Sequence, residues 1–477
     1  LMTSRRTLLG AAVLAAAVPA RADDAPLRWD AEYDILIAGG GGAGLAAAVS
    51  AAELGAHVLL TEKLAMLGGD TLRSTGYIAA PGNPAQKATG INDSVSFYRE
   101  QTFAAGGRTA DPEVVTALAE NLPDTVRWLT ECGVVFDGRN YEIYGALYPR
   151  CIKPLLPRGS AYIRALSEKA VRSHVWILTE TALEALFTTP EGRIVGARLR
   201  RSDGSEFLVH TRKGVVLTTG GFGANTALIS ELAPKFAGLA TDNSPGSTGD
   251  GLTIARRLGA RLTNLSSVEC VAGNPPGKKR HARLFIPSDF MLVNRSGERF
   301  VEEDASRRDI TEALLAEGGR CWAVFDAQGE SRLDPVSKKA LYQALVADEA
   351  FQADTPTALA QALNLKPAAL LKTLRDYNRE AWGRTAPHGK CRRIGCSPVD
   401  RAPYWAYEVG LTIHYTAGGL AVDAGARCLD NDNRPIPGLY AAGEVTGSVH
   451  GLNRLGGNGL ADALTFGRMA GIACASL

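Results

Sequence analysis

Apolar positions along this chain follow two rhythms. Short, mostly apolar runs occur at Tyr33–Ala38, Val58–Thr61, Val215–Leu217 and Leu439–Ala442. Each is bounded by glycine or an acid, as expected of strands buried on both faces of a mainly parallel sheet. Between them, an alanine-rich stretch running to about Leu54, and helical periodicity over about 111–132 and 160–173, predict helices. Val175–Leu186, Ile194–Arg200 and Phe207–His210 read as strands of an inserted sheet. Asp242–Gly251 reads as a loop, and Gly459–Gly467 as the start of a closing helix. From about 266 to 400 the pattern changes to short strands and helices with more charge. The chain of 477 residues is too long for one simple core. The pattern predicts an α/β fold of two parts, one over 30–265 and 411–477, the other inserted at 266–410. No internal repeat is evident.

The first two strands flank Gly39-Gly40-Gly41-Gly42-Ala43-Gly44, and the second ends at Glu62. This is Gly-x-Gly-x-x-Gly in the turn of a βαβ unit, with an acid at the end of the following strand, the dinucleotide fingerprint in its required context. The acid can bond both hydroxyls of an unphosphorylated ribose and would repel a 2′-phosphate, so FAD or NAD fits and NADP does not. Near the other end, Gly438–Glu444 reads as a strand ending in Gly-Glu, and Gly451–Leu460 as a glycine-rich loop carrying Arg454. Glycines at a strand-to-helix junction let backbone N–H groups approach a ligand. The pair of motifs predicts one site built from both ends of the chain.

Charge and cysteine content narrow the class. The formal balance of +2 gives no footing for nucleic acid. Ser4-Arg5-Arg6-Thr7-Leu8-Leu9, the apolar Leu8–Val18 and Ala20-Arg21-Ala22 form a twin-arginine export signal over 1–22, which predicts a periplasmic protein. The apolar run is too short for a membrane span, and no stable membrane insertion is expected. Most of the eight cysteines are expected to be buried apolar residues, with a disulfide open only to the close pair Cys391 and Cys396. No Cys-x-x-Cys-His, iron–sulfur or zinc spacing occurs, so no metal is expected. Any electrons the protein uses are expected to enter from another protein.

With these residues laid out, the chain resembles the flavoprotein subunits of fumarate reductases and succinate dehydrogenases, above all the exported flavocytochrome-type fumarate and urocanate reductases. The resemblance is carried by Leu67-Gly68-Gly69-Asp70-Thr71 with Ser74-Thr75-Gly76, by Thr219–Asn225, by Asn243–Gly251, by Arg299-Phe300-Val301, and by His414–Gly419. It implies a Rossmann-type FAD-binding domain with an inserted α+β capping domain. The implied cofactor set is Gly39, Gly41, Gly42, Ala43, Gly44, Glu62, Lys63, Asp70, Thr71, Ser74, Thr75, Gly76, Ala182, Thr219, Gly220, Asp250, Tyr415, Gly443, Glu444, Gly459 and Leu460. The family's covalent flavin link uses a histidine near Thr71. None lies between His57 and His174, so non-covalent FAD is expected.

The implied chemistry is reduction of an activated C=C, with hydride from flavin N5 and a proton from an arginine that precedes an aspartate. In Glu303-Asp304-Ala305-Ser306-Arg307-Arg308-Asp309 this points to Arg308, held by Asp309, with Arg307 as the fallback. Arg454 would fork onto a substrate carboxylate and His414 would hydrogen-bond the same group. The pattern departs over Glu269–Pro287, where the family's Gln-x-His-Pro-Thr, Thr-Glu and following arginine are missing. A second carboxylate clamp is therefore not expected, and the substrate is expected to be an enoate other than fumarate, its tail met by Phe285, Ile286 or the basic run 278–283. Two alternatives stay open: a dehydrogenase desaturating a carboxylic acid or ketosteroid, and a non-catalytic flavin electron-transfer protein.

Overall fold

Ile35, Leu36 and Ile37 have no solvent exposure, because their strand, Ala31–Ala38, sits inside a sheet with covered faces. The computed structural model describes residues 28–273, 289–381 and 397–477. The twin-arginine segment, the basic run 278–283 with Phe285 and Ile286, and the Cys391–Cys396 pair lie outside them. Strand order in the main path of the sheet is Arg427–Leu429, Pro435–Ala441, Glu206–Leu217, Ala31–Ala38, Val58–Thr61, Trp176–Leu178. The four central strands pair in parallel and end level, with Ala38 opposite both Thr61 and Leu217, and Leu217 opposite Ala441. Their loops therefore leave from one edge, where a parallel α/β sheet binds its ligand.

The helices that cover this edge pack closely. Gly42–Glu53 lies against the closing helix Asn458–Ala475, one turn of which places Gly467 and Gly471 on Ala43 and Ala47. A Cβ at either glycine would collide with the facing backbone, so contact at this depth needs glycine.

Two strand expectations change in detail. The run Val175–Leu186 is split: Trp176–Leu178 extends the parallel sheet, the chain turns at Glu180 with φ +52°, and Thr181–Thr188 pairs antiparallel with Ile194–Arg201. Phe207–His210 and Val215–Leu217 are one strand, Glu206–Leu217, which pairs with Ile194–Arg201 and Ala31–Ala38 along its length.

A second sheet holds Val268–Gly273, Tyr404–Thr416, Arg320–Phe325 and Met291–Val293 in that order, with Ala350–Ala353 and Ala240–Thr241 also pairing with Tyr404–Thr416. Its own core includes Phe325, Trp405, Tyr407 and Val409. Tyr404–Thr416 stays in this sheet to its end, so the return to the first sheet comes after Thr416 and not at 410–411 as expected. The consequence is functional. His414 and Tyr415, at the end of a capping-sheet strand, reach the edge of the nucleotide sheet.

Candidate functional site

One cleft of about 1370 Å³, its open mouth included, runs along the carboxyl edge of the first sheet and under the second. Its nucleotide end is made mostly of backbone. Two helices, Gly42–Glu53 and Asn458–Ala475, begin at its wall; neither has a side-chain cap or an acid in its first turn. Uncapped N-termini without acids leave N–H groups and the positive ends of two helix dipoles for an anion such as a pyrophosphate. Gly44 belongs to the turn without lining the cleft: a Cβ there would strike the Gly39 carbonyl, so it keeps the turn tight. Glu62, buried at the end of its strand, accepts from the Gly40 and Leu64 N–H groups at 2.9 Å each. Beside it Lys63 pairs with Asp250 at 2.7 Å. The Thr219 hydroxyl is buried without a hydrogen-bond partner and belongs to a cleft-lining residue. These features fit a dinucleotide with a free ribose.

Midway, burial raises the Asp70 carboxyl above the ordinary aspartate value, against the hydrogen bonds from Ser247 and Ser244. Glu444 accepts from the Thr416 N–H at 2.9 Å. Burial, with the nearby Asp70 charge, pushes its carboxyl well above the usual range. A carboxyl held un-ionised can donate as well as accept, which suits polyol hydroxyls.

The far end carries charge. Arg307, 6% exposed, donates through Nε and Nη2 to the Tyr144 carbonyl and through Nη1 to Glu269 Oε1. Arg454, 5% exposed, donates to the same Glu269 oxygen at 2.6 Å and lies 4.3 Å over the Tyr415 ring. Burial opposes the charge on Glu269, but the guanidiniums of Arg454 and Arg307 outweigh it and hold the carboxyl below its ordinary value. His414 Nδ1 meets both oxygens of Asp242 at 3.0–3.1 Å, leaving Nε2 for a ligand. Behind Tyr415, its hydroxyl reaches Asp462 at 3.4 Å and Asp462 meets His450 at 3.1 Å, all three buried.

Most sequence-predicted residues line this cleft: Gly39, Gly41, Gly42, Ala43, Glu62, Lys63, Asp70, Thr71, Ser74, Thr75, Thr219, Gly220, Asp250, His414, Tyr415, Gly443, Glu444, Arg454, Gly459 and Leu460. Four others, besides Gly44, do not. Gly76, at φ +83°, packs on the Arg158 carbonyl beside the cleft. Ala182 faces a separate shallow hollow, because strand alternation turns Thr181 and Leu183 inward instead. Arg308 and Asp309 are exposed, and Asp309 accepts from Ser306 as part of the cap of the helix Arg307–Ala316. Arg307 stands where Arg308 was expected. The buried stripe of that helix is Arg307, Ile310, Thr311 and Leu314, a spacing of one helical face. Ile310 and Leu314 are visible in the sequence and point to Arg307. Nor is Glu303 free to serve an active arginine, since it is bound to Arg299 at 2.7 Å. Glu269, Asp242 and Tyr144 were missed, because their roles come from what the second sheet and its loops bring beside the arginines. Among the described residues all six cysteines are buried and unpaired, as expected for apolar packing. Among the described residues no three-residue metal cluster occurs, and no helix is long and apolar enough to cross a membrane.

The chain belongs to the FAD binding domain family, whose profile matches residues 34–460, and FAD is its cofactor. It is 32% identical to the NADH:acrylate oxidoreductase of Vibrio harveyi over 93% of its own length and 50% of that protein's, so it spans half of that relative. Its fold matches the open conformation of a flavocytochrome c3 fumarate reductase with TM-score 0.74 and 31% identity, covering 94% of this chain and 79% of the other. It also matches a 3-ketosteroid-Δ4-(5α)-dehydrogenase from Rhodococcus jostii with TM-score 0.78 and 27% identity, covering 96% and 100%.

Proposed function

We propose that this FAD-binding protein is an ene-reductase that saturates the C=C of an α,β-unsaturated carboxylate. The observation that carries the reading is the meeting of Arg307, Arg454 and His414 at one end of the cleft whose other end is the nucleotide turn. Bound reduced FAD supplies the hydride. Arg454 presents a planar fork to the substrate carboxylate. His414, oriented through Nδ1 by Asp242, offers Nε2 to the same group and draws charge from the double bond. Arg307 holds a proton on a buried guanidinium at the cleft wall. Guanidinium is a very weak acid, so it delivers that proton only if promptly reprotonated, and the ionised Glu269 in contact with it would relay a proton taken up from solvent. Tyr144 and Tyr415 pack on the two guanidiniums and keep water from them.

The test is anaerobic: FAD-loaded protein, reduced methyl viologen and a panel of enoates including acrylate, crotonate, cinnamate, urocanate, itaconate and fumarate. Viologen oxidation with an enoate is the expected result. Silence with every enoate removes the reading. The likeness to a ketosteroid dehydrogenase favours a second reading, desaturation, which an oxidising dye with saturated acids and 3-ketosteroids tests directly. The proposal includes export by the twin-arginine route, resting on Ser4–Ala22, and electron supply by a separate donor such as a c-type cytochrome.

A further inference from the structure

Two buried arginines at the substrate end share a single carboxylate, and we infer that Glu269 thereby sets the charge of the substrate: the pair keeps one net positive charge, so the cleft takes a monoanionic enoate and discriminates against dicarboxylates. The inference rests on the reading of the cleft as an enoate site. Glu269 stands behind Arg307 and Arg454; its Oε1 accepts from both, while Oε2 and Arg454 Nε are buried without hydrogen-bond partners. Neither guanidinium is therefore a whole free charge. Around them, His414 is matched by Asp242, Asp70 and Glu444 are buried carboxyls held toward the neutral form, and Arg73 is exposed, its Nε given to the Asp242 carbonyl. A first carboxylate on Arg454 uses the remaining positive charge. Among the described residues, a second carboxylate would be desolvated beside the Glu269 carboxylate with only the exposed Arg73 at the cleft wall to meet it, which is an unfavourable arrangement.

Glu269 does not line the cleft, so it acts through the arginines as a positioning residue. A purely structural tether would weaken all acids alike, whereas charge selection changes the ratio between a dianion and its neutral-tailed isostere. The experiment uses FAD-loaded protein and pairs matched in size: succinate against succinamate for binding, read from the flavin absorbance, and fumarate against fumaramate for viologen-driven turnover. Wild type is expected to favour each monoanion by about tenfold or more (about 1.4 kcal/mol). Glu269→Gln is expected to move the binding ratio at least about tenfold toward succinate, and Glu269→Asp, which keeps the charge, to leave it near wild type. Binding is read without turnover, so a slowed proton transfer in the variant does not mask the result. Wild type that binds succinate as well as succinamate overturns the inference, even where Glu269→Gln fails to hold flavin. So does a Glu269→Gln protein that loses both ligands equally. Absence of any response to any acid in wild type removes the enoate site itself, a result distinct from an unchanged ratio.

Discussion

The two ends of the cleft are built on opposite principles. The nucleotide end offers backbone N–H groups at two helix N-termini, with a compact block of lining residues between Gly39 and Lys63. The other end carries side-chain charges drawn from five separate positions, Asp242, Glu269, Arg307, His414 and Arg454. Backbone recognition depends on local shape and tolerates many side chains. Charge recognition in a dry site depends on which partners arrive together, since an unpaired buried charge is costly. The first end is a motif and the second is an arrangement.

That contrast is sharpest at the arginine pair Arg307–Arg308, one buried and one exposed on the same helix turn. Arg307→Ala is expected to lower turnover by about a thousandfold with flavin content unchanged, and Arg308→Ala by less than about twofold. Steady-state rates with FAD occupancy by absorbance check both, and equal losses would mean that burial does not separate the two arginines in function. At the opposite end, Gly44→Val should act on FAD and not on chemistry. The clash with the Gly39 carbonyl is expected to weaken FAD binding by about tenfold to a hundredfold, read by fluorescence titration of the apoprotein. Asp242→Asn keeps the shape beside His414 and removes the charge. A drop in kcat of about tenfold with FAD affinity unmoved is expected, and loss of FAD instead would place Asp242 at the nucleotide end.

The smallest effect concerns pH. Glu269 has a folded pKa below its unfolded value, so its contribution to stability is complete above the ordinary glutamate range, about 4.3, and is lost as pH falls toward the lowered value. Urea midpoints measured between about pH 3 and 6 should therefore fall more steeply with acid in wild type than in Glu269→Gln. Parallel curves would mean that the arginines do not hold that carboxylate ionised.

How much of this was legible follows the same division. The strand Val58–Thr61 has the bounds its apolar run predicted, and Glu62 lies beside the turn as the spacing required. Thr71, Glu444 and Gly459 reach the cleft as the resemblance implied. Adjacency to Asp309 points to Arg308, whereas the helical face marked by Ile310 and Leu314 turns Arg307 to the cleft and leaves Arg308 exposed. Ala182 stands one residue away from the cleft-lining Thr181 and Leu183 for the same kind of reason, since a strand reverses its side chains at every step.

By itself, the sequence determined the βαβ turn, the acid at its end, the glycine loop that closes the site and the identity of the arginines available. Local sterics and short-range hydrogen bonding decide those features, and they are written in consecutive residues. Only the tertiary structure decided which arginine is buried, that Glu269 binds two of them at once and that Asp242 orients His414. Those contacts span about 40 to 190 residues of chain, and a buried charge takes its meaning from its neighbours, which no local pattern encodes.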